Sequence, residues 1–217
     1  MTPEVDKAAV RTATARQNCY VLFAQVFSDA PTPGSFSYCA HLFATLEPVF
    51  GELDGSWPEL RTLRDWFSKD PALTSERLAI EYTALFEGRG RIYPNASCWD
   101  SDHIPQLLGA AARAALDCYY EAGFTLAEGE MLKVDHIATE LLFLGKLAEM
   151  AVRHPEAISR SFELTRMFFT RAFITWAPRF FAAVGEASEC SSYYSAWARL
   201  TKRFTEIDAI SFLLDSA

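Results

Sequence analysis

The sequence is poor in the patterns that mark a disulfide-stabilised or metal-binding protein. Its 217 residues include five cysteines, an odd number, and no two of them form a C-x-x-C pair. That excludes a disulfide framework and a zinc ribbon, and it favours reduced cysteines in a cytoplasmic protein. One cluster holds four potential metal ligands, which are Cys98, Asp100, Asp102 and His103. Its spacing matches no standard site, so we expect no bound metal.

Targeting and membrane segments are missing as well. The N-terminal residues MTPEVDKAAV carry acids and have no apolar run, so we expect no secretory signal peptide. The most apolar stretch, residues 137–152, is interrupted by Glu140, Lys146 and Glu149. It falls short of the ~20 apolar residues that a membrane helix needs. We therefore expect a soluble, cytoplasmic protein with no stable membrane insertion.

Positive charge is scarce. The chain has 20 Lys and Arg residues against 28 Asp and Glu residues, which gives a formal net charge of −8. Nucleic-acid-binding proteins need a basic face to neutralise phosphates, so we expect no nucleic-acid partner. An acidic protein suits a basic partner instead.

The alternation of apolar and polar residues that is typical of β-strands is absent, whereas apolar residues recur at helical spacing. The first helix is predicted over residues 5–27, with Tyr20 and Phe23 on its apolar face, and Asp29-Ala30-Pro31 ends it. Similar patterns continue to the end of the chain. We predict an all-α fold, a single globular bundle of roughly eight to ten helices over residues 1–217.

Two irregular segments interrupt the helical pattern. Residues 126–134, LAEGEMLKV, separate two blocks of helices, either as an ordinary connection or as a hinge that would permit domain swapping. Residues 88–105 form the longest irregular segment, and a long loop in a compact domain is often functional. Within it, Arg89 and Arg91 lie beside glycines and suit an anion such as a nucleotide phosphate, the alternative being a solvated loop.

A third stretch, KVDHIATELLFL at residues 133–144, places charged residues beside large apolar ones. On a helical wheel, His136 and Glu140 fall within the apolar arc, on one stripe with Phe143. Burying a glutamate costs on the order of several kcal/mol unless it is paired. Glu140 therefore needs a partner.

The residues alone leave several roles open for this stretch. Asp135 can cap the helix while Glu140 bonds His136 or the end of a neighbouring helix. Alternatively, the charged groups form the rim of an apolar binding groove. A metal site lacks a second pair of ligands, and a catalytic dyad lacks a nucleophile or a phosphate-binding motif, so both are disfavoured.

Three motifs follow one another along the chain. The first, E-Y-x-x-L-F-x-G, is formed by Glu81, Tyr82, Leu85, Phe86 and Gly88, and a loop that reads YPNASCW follows it. The second is similar to P-x-D-H-x-x-x-E-L at residues 133–141, with Lys133 in place of proline. The third, W-x-P-x-F, contains Trp176 and Pro178, which we also interpret as a packed kink between helices. With these motifs in this order, the sequence resembles the TorD/DmsD/NarJ-type redox-enzyme maturation chaperones.

The resemblance implies an all-helical cytoplasmic chaperone rather than an enzyme. Members of that family bind the twin-arginine signal peptide, the apo-form, or both, of a molybdenum-cofactor oxidoreductase. They support cofactor insertion and proofreading before export. The molybdenum cofactor belongs to the client, so the chaperone has no cofactor of its own, although weak GTP binding is implied by some members. The partners are then the catalytic subunit and its signal peptide, and the chaperone is a monomer or a domain-swapped dimer.

A receptor for a twin-arginine signal needs an apolar groove with acids at one end, because the signal has a basic segment followed by an apolar one. The residues that we assign to peptide binding are Tyr93, Trp99, Asp100, Asp102, Asp135, His136, Glu140 and Phe143. The acids would receive the arginines and the aromatic residues would form the wall. If the family's folding pattern holds, the loop at 88–105 and the helix start at Asp135 face one cleft. For Tyr93 and Trp99 the alternative is local packing under the loop.

Two other functions are left open. One is a NarJ-like assembly factor that acts on a nitrate reductase subunit. The other is a nucleotide-binding or nucleotide-hydrolysing enzyme that uses His136 and Glu140.

Overall fold

The computed structural model describes residues 7–54, 57–88, 91–99, 108–127, 133–187 and 192–214. Within these ranges there are nine α-helices and no strand, so the prediction of an all-α fold with eight to ten helices is confirmed. The helices are α1 (Lys7–Ser28), α2 (Pro33–Asp54), α3 (Pro58–Phe67), α4 (Pro71–Tyr82), α5 (Ala110–Glu121), α6 (Ile137–Arg153), α7 (Ile158–Arg171), α8 (Ala177–Glu186) and α9 (Ser192–Leu214). None of them, as far as the described residues go, has the length and hydropathy that crossing a bilayer requires.

Short helical turns continue or connect these helices. A π-helix, Thr83–Glu87, extends α4 up to Gly88. Fully described 3₁₀ turns lie at Ala96–Cys98, Pro155–Ala157 and Phe173–Thr175. The last of these separates α7 from α8, and Pro178 lies in the first turn of α8, where its missing N–H costs no hydrogen bond. The predicted kink at Trp176 and Pro178 is therefore a break between two helices.

Helices α1 and α6 form the closest helix pair and run in opposite directions. Gly145 permits the close approach, because a Cβ at that position would lie 3.4 Å from the Cβ of Tyr20 and 3.5 Å from the carbonyl oxygen of Gln17. The antiparallel arrangement brings the last turn of α1 beside the first turn of α6. This pairing positions the site described below.

Phe180 joins the motif-bearing segments in the core. Its ring centroid lies 5.7 Å from that of Trp176, 6.0 Å from Phe27, 6.1 Å from Phe86 and 6.3 Å from Trp99. The ring itself is fully buried. Aromatic pairs at such separations stabilise the fold beyond the area that they bury. The last residue of W-x-P-x-F thus contacts the first motif and the loop that follows it.

A buried polar cluster holds α1 against α9. The carboxylate of Asp208 accepts hydrogen bonds from the Arg16 guanidinium at 2.5 Å and from the Tyr20 hydroxyl at 2.6 Å. Arg16 also donates to the Ser211 hydroxyl at 2.7 Å. Burial, reinforced by the charge of Asp208, raises the pKa of Tyr20 well above its ordinary value, so that it stays a donor.

Candidate functional site

Residues 91–99 of the long loop are held against the start of α6 by backbone hydrogen bonds. Asn95 and His136 form an isolated antiparallel bridge. The Ala96 N–H donates to the carbonyl oxygen of Asp135 at 2.9 Å, and the Ile137 N–H donates to that of Pro94 at 2.7 Å. Residues 91–99 of the loop therefore lie directly against the helix start at Asp135.

The buried carboxylate of Asp135 also hydrogen-bonds to the same loop. Its Oδ2 accepts from the Ser97 backbone N–H at 2.8 Å, and its Oδ1 accepts from the Asn95 side-chain amide at 3.2 Å. The residue is fully buried. The expectation that Asp135 caps the helix was wrong, because both oxygens are engaged by the loop. In this conformation Asp135 also presents no surface to an arginine of a peptide.

His136 is the residue that caps α6. Its Nδ1 accepts from the Ala138 N–H at 3.2 Å, so Nδ1 carries no proton and the neutral ring holds its proton on Nε2. Burial, reinforced by the charge of Lys133, lowers the pKa of His136 to about 4, while the charges of Asp29 and Asp135 oppose the shift. His136 is therefore an uncharged hydrogen-bonding group at neutral pH.

Glu140 is fully buried, and its partner is Trp176. The indole N–H of Trp176 donates to Oε2 of Glu140 at 3.0 Å. Burial raises the pKa of Glu140 well above its ordinary value, and the charge of Asp135 adds to the effect, although the bond from Trp176 opposes it. The shift favours the protonated, neutral form of this buried carboxyl group. The predicted partners, His136 or a helix end, were wrong: the bond joins the second motif to the third.

The first motif is bonded both to the end of α1 and to the loop. The Tyr82 hydroxyl donates to the carbonyl oxygen of Phe27 at 3.2 Å, and the Ile92 N–H donates to that of Leu85 at 2.8 Å. Gly88 is required for close approach, because a Cβ there would lie 3.0 Å from the carbonyl oxygen of Ala84. Of the other motif residues, Phe86 is buried beside Tyr82, and Glu81 is partly buried on α4.

The aromatic residues of the loop are engaged by the chain itself. The Trp99 indole N–H donates to the carbonyl oxygen of Tyr93 at 2.8 Å. The Arg179 guanidinium lies 5.5 Å from the Trp99 ring centroid and donates to the Trp99 carbonyl oxygen at 3.1 Å. Arg91 lies 4.5 Å from the Tyr93 ring centroid. The rings therefore already stack with cations, which favours local packing over contact with a basic peptide.

The remaining predicted site residues do not line this region. Phe143 is buried in the core, with ring centroids 4.5 Å from Tyr119 and 4.8 Å from Phe168. It offers almost no surface to a ligand, so its assignment to a groove wall does not fit the structure. Asp100 and Asp102 lie outside the described residues, as does Arg89 of the predicted anion site.

A groove does lie beside His136, between the end of α1 and the first turns of α6. Its volume is about 220 Å³. The lining residues are Val21, Ala24, Gln25, Ser28, Asp29, Lys133, His136, Ala138, Thr139 and Leu142. Apolar side chains line one part, and Asp29 and Lys133 lie at the other. A larger cavity of about 610 Å³ lies between α2 and α3, but no motif residue lines it.

Sequence reasoning missed the α1 side of this groove, namely Val21 and Asp29. Asp29 follows the last residue of α1, where its position indicated only the end of a helix. Leu142 on α6 was missed as well, and it did carry a signal: it lies outside the apolar arc of its helix and is 43% exposed. Among the described residues, no group of three or more His, Cys, Asp or Glu side chains is placed to hold a metal.

Comparisons with known proteins identify a matching family, a related sequence and a related structure. A family model described as nitrate reductase delta subunit matches residues 51–182, a range that contains all three motifs. A selenate reductase assembly chaperone protein of Thauera selenatis is 33% identical over 144 residues, which cover 64% of this chain and 72% of the relative. The crystal structure of a putative redox enzyme maturation protein from Archaeoglobus fulgidus shares the fold. It superposes with a TM-score of 0.57 at 22% identity, over 88% of this chain and 93% of the other.

Proposed function

The chain belongs to the nitrate reductase delta subunit family, and from this premise we propose that it is an assembly chaperone for a molybdenum-cofactor oxidoreductase. It binds the twin-arginine signal peptide of the apo-enzyme before the cofactor is inserted and the enzyme is exported. The relative from Thauera selenatis is named for the assembly of selenate reductase, and the related solved structure is named for redox enzyme maturation. These names support a role in assembly. The geometry of the groove supports binding of a signal peptide.

The observation that carries the proposal is the groove between α1 and α6. It combines an apolar wall, to which Val21 and Leu142 contribute, with an exposed acid, Asp29, at one end. An apolar segment that follows a basic one is complementary to such a groove. His136 adds an uncharged N–H donor on Nε2 that can hydrogen-bond a peptide carbonyl oxygen without repelling arginine.

The same geometry gives no support to a hydrolytic role for His136 and Glu140. The Glu140 carboxyl group is inaccessible and bonded to Trp176. The Nδ1 atom of His136 is occupied by the cap of α6. A general base must reach the proton that it removes, and Glu140 has no exposed surface from which to do so.

The experiment is capture of the client from cells that contain it. We expect the affinity-tagged chaperone to retain the catalytic subunit of a molybdoenzyme, identified by mass spectrometry, in amounts that rise when cofactor synthesis is blocked. The matched control is the same subunit without its leader, which we expect to be retained far less. Failure to retain any oxidoreductase subunit under cofactor-free conditions would contradict the proposal.

The family description supports a second candidate, a NarJ-like assembly factor for a nitrate reductase subunit. Its client would be a nitrate reductase subunit that faces the cytoplasm, so binding would not depend on an export leader. In the same capture experiment, equal retention of the subunit with and without its leader would favour this second candidate.

A further inference from the structure

The groove beside His136 is negatively charged at the end where α1 stops. The last carbonyl groups of a helix lack intrahelical donors and carry partial negative charge. Asp29 follows Ser28, the last residue of α1, and adds a full negative charge at that end. Its side chain is exposed and accepts no hydrogen bond from any part of the chain that the structure describes. Both charges favour a cation there.

Among the residues that the structure describes, the other acids near this end of the groove are not available to a ligand. Asp135 gives both carboxylate oxygens to the loop, and Glu140 is fully buried and bonded to Trp176. Asp29 is thus the acid beside His136 that reaches solvent. Lys133, on the α6 side of the same end, is exposed and opposes the entry of a second cation.

The rest of the groove is apolar and short. Val21 lies eight positions before Asp29, which corresponds to about 12 Å along α1 at a rise of about 1.5 Å per residue. An extended peptide covers that distance with about four residues. The groove therefore fits one basic side chain and the few apolar residues beside it, with the exposed Leu142 on the opposite wall.

We propose that Asp29 and the C-terminal end of α1 form a guanidinium-binding site, which takes one arginine of the signal peptide while Val21 and Leu142 contact its apolar residues. This inference rests on the proposed function. It names a specificity-determining residue that lies outside all three motifs. Arginine fits because its planar fork can bond both oxygens of a carboxylate, and its charge is favoured at the C-terminal end of a helix.

A double-mutant cycle tests the pairing by calorimetry. The wild-type chain and Asp29→Asn are each titrated with a twin-arginine peptide and with two variants in which one or the other arginine is replaced by glutamine. We expect Asp29→Asn to weaken binding of the parent peptide roughly 3- to 10-fold, as for a partly exposed charge pair. One of the two glutamine peptides should bind the wild type roughly 3- to 10-fold more weakly than the parent peptide does. The same glutamine peptide should bind Asp29→Asn with the same affinity as the parent peptide. The control Asp65→Asn makes the same charge change on α3, away from the groove, and should leave every affinity unchanged.

The outcomes separate the inference from the function on which it rests. If the wild type binds none of the peptides, the proposed function fails. If the wild type binds with arginine dependence and Asp29→Asn keeps that dependence, the inference is overturned and the proposed function stands. An equal loss in Asp29→Asn and Asp65→Asn would indicate a general charge effect and would also overturn it.

Discussion

The backbone N–H of Ser97 donates a hydrogen bond of 2.8 Å to the buried carboxylate of Asp135, and this bond joins the loop of the first motif to the helix of the second. Thirty-eight residues separate the two partners in sequence. The bond explains why an acid stands just before His136, the capping residue of α6, although it does not cap that helix itself. Asp135 therefore holds the loop against the start of α6. Exposed residues beside it contact the peptide instead.

Asp135→Asn should destabilise the protein. Both carboxylate oxygens accept N–H groups, and an asparagine offers only one acceptor, so one donor of Asn95 or Ser97 would face an NH₂ group. We expect a loss of about 2 kcal/mol in the free energy of unfolding by urea denaturation. Asp117→Asn, an exposed change on α5, serves as the control and should stay within about 0.5 kcal/mol of the wild type. A wild-type denaturation midpoint for Asp135→Asn would contradict this role.

Glu140→Gln should become more stable relative to the wild type as pH rises. The folded-state pKa of Glu140 lies well above its unfolded value, so above about pH 4.5 the folded state holds a proton that the unfolded state has lost. The wild type therefore loses stability as pH rises through that range, whereas the glutamine variant keeps an acceptor for Trp176 and has no such dependence. Unfolding curves at pH values from 4.5 to 8 measure the difference.

Glu149→Gln, on the same helix, is the control of opposite sign. Lys146 and Arg153 hold the pKa of Glu149 below its ordinary value through hydrogen bonds and charge. The stability that Glu149 contributes is present at neutral pH and is lost as pH falls. A wild type that gains stability over Glu140→Gln as pH rises would show instead that Glu140 is ionised in the folded protein.

His136→Ala should lose the cap of α6, at a cost of about 1 kcal/mol, and His136→Asn should restore most of it. The pKa of His136 is about 4 when folded and 6.5 in its ordinary state. Between these values the unfolded chain binds the proton more readily, so the wild type loses stability as pH falls from 6.5 to 4. Relative to His136→Asn, that loss should reach roughly 3 kcal/mol. A ¹⁵N titration of the imidazole that gives a pKa near 6.5 would refute the account of His136.

Gly145→Leu should separate α1 from α6. The space for a side chain at Gly145 ends 3.4 Å from Tyr20, so a leucine must displace α1, at a cost of about 3 kcal/mol. Because the groove lies between the same helices, peptide affinity should fall as well. The control is Gly51→Leu, at an exposed glycine of α2 with no atom within 4 Å, which should be neutral or stabilising by thermal denaturation. Equal melting temperatures for the two variants would rule out this role of Gly145.

Much of the fold could be predicted from the sequence, because the information is local. Helical spacing of Tyr20 and Phe23 predicted α1 over residues 5–27, and the structure places it at Lys7–Ser28. A kink between helices was predicted at Trp176 and Pro178, and in the structure α8 begins there, with Pro178 in its first turn. The apolar arc around Glu140 predicted that this acid would be buried and would need a partner.

The partners themselves could not be predicted, since they depend on long-range packing. Trp176 lies 36 positions after Glu140, and no periodicity links the two. The groove depends on the docking of α1 against α6, which Gly145 permits, and sequence spacing does not reveal which helix a glycine faces. From the sequence, Asp29 indicated only the end of a helix. Asp135 was assigned to peptide binding because it belongs to a motif, but it is buried in the structure.

The central claim is that the groove between α1 and α6 holds the signal peptide, and calorimetry with Leu142→Glu tests it most directly. Leu142 is 43% exposed on the groove wall, so a glutamate there should leave the fold intact and place a charge against the apolar segment of the peptide. Leu73→Glu, at a residue of α4 that is 72% exposed, is the matched control. We predict that the wild type and Leu73→Glu bind a twin-arginine peptide with the same affinity and a negative heat-capacity change, and that Leu142→Glu binds at least about 10-fold more weakly. Equal affinity of all three proteins, or no binding by the wild type, would contradict the account.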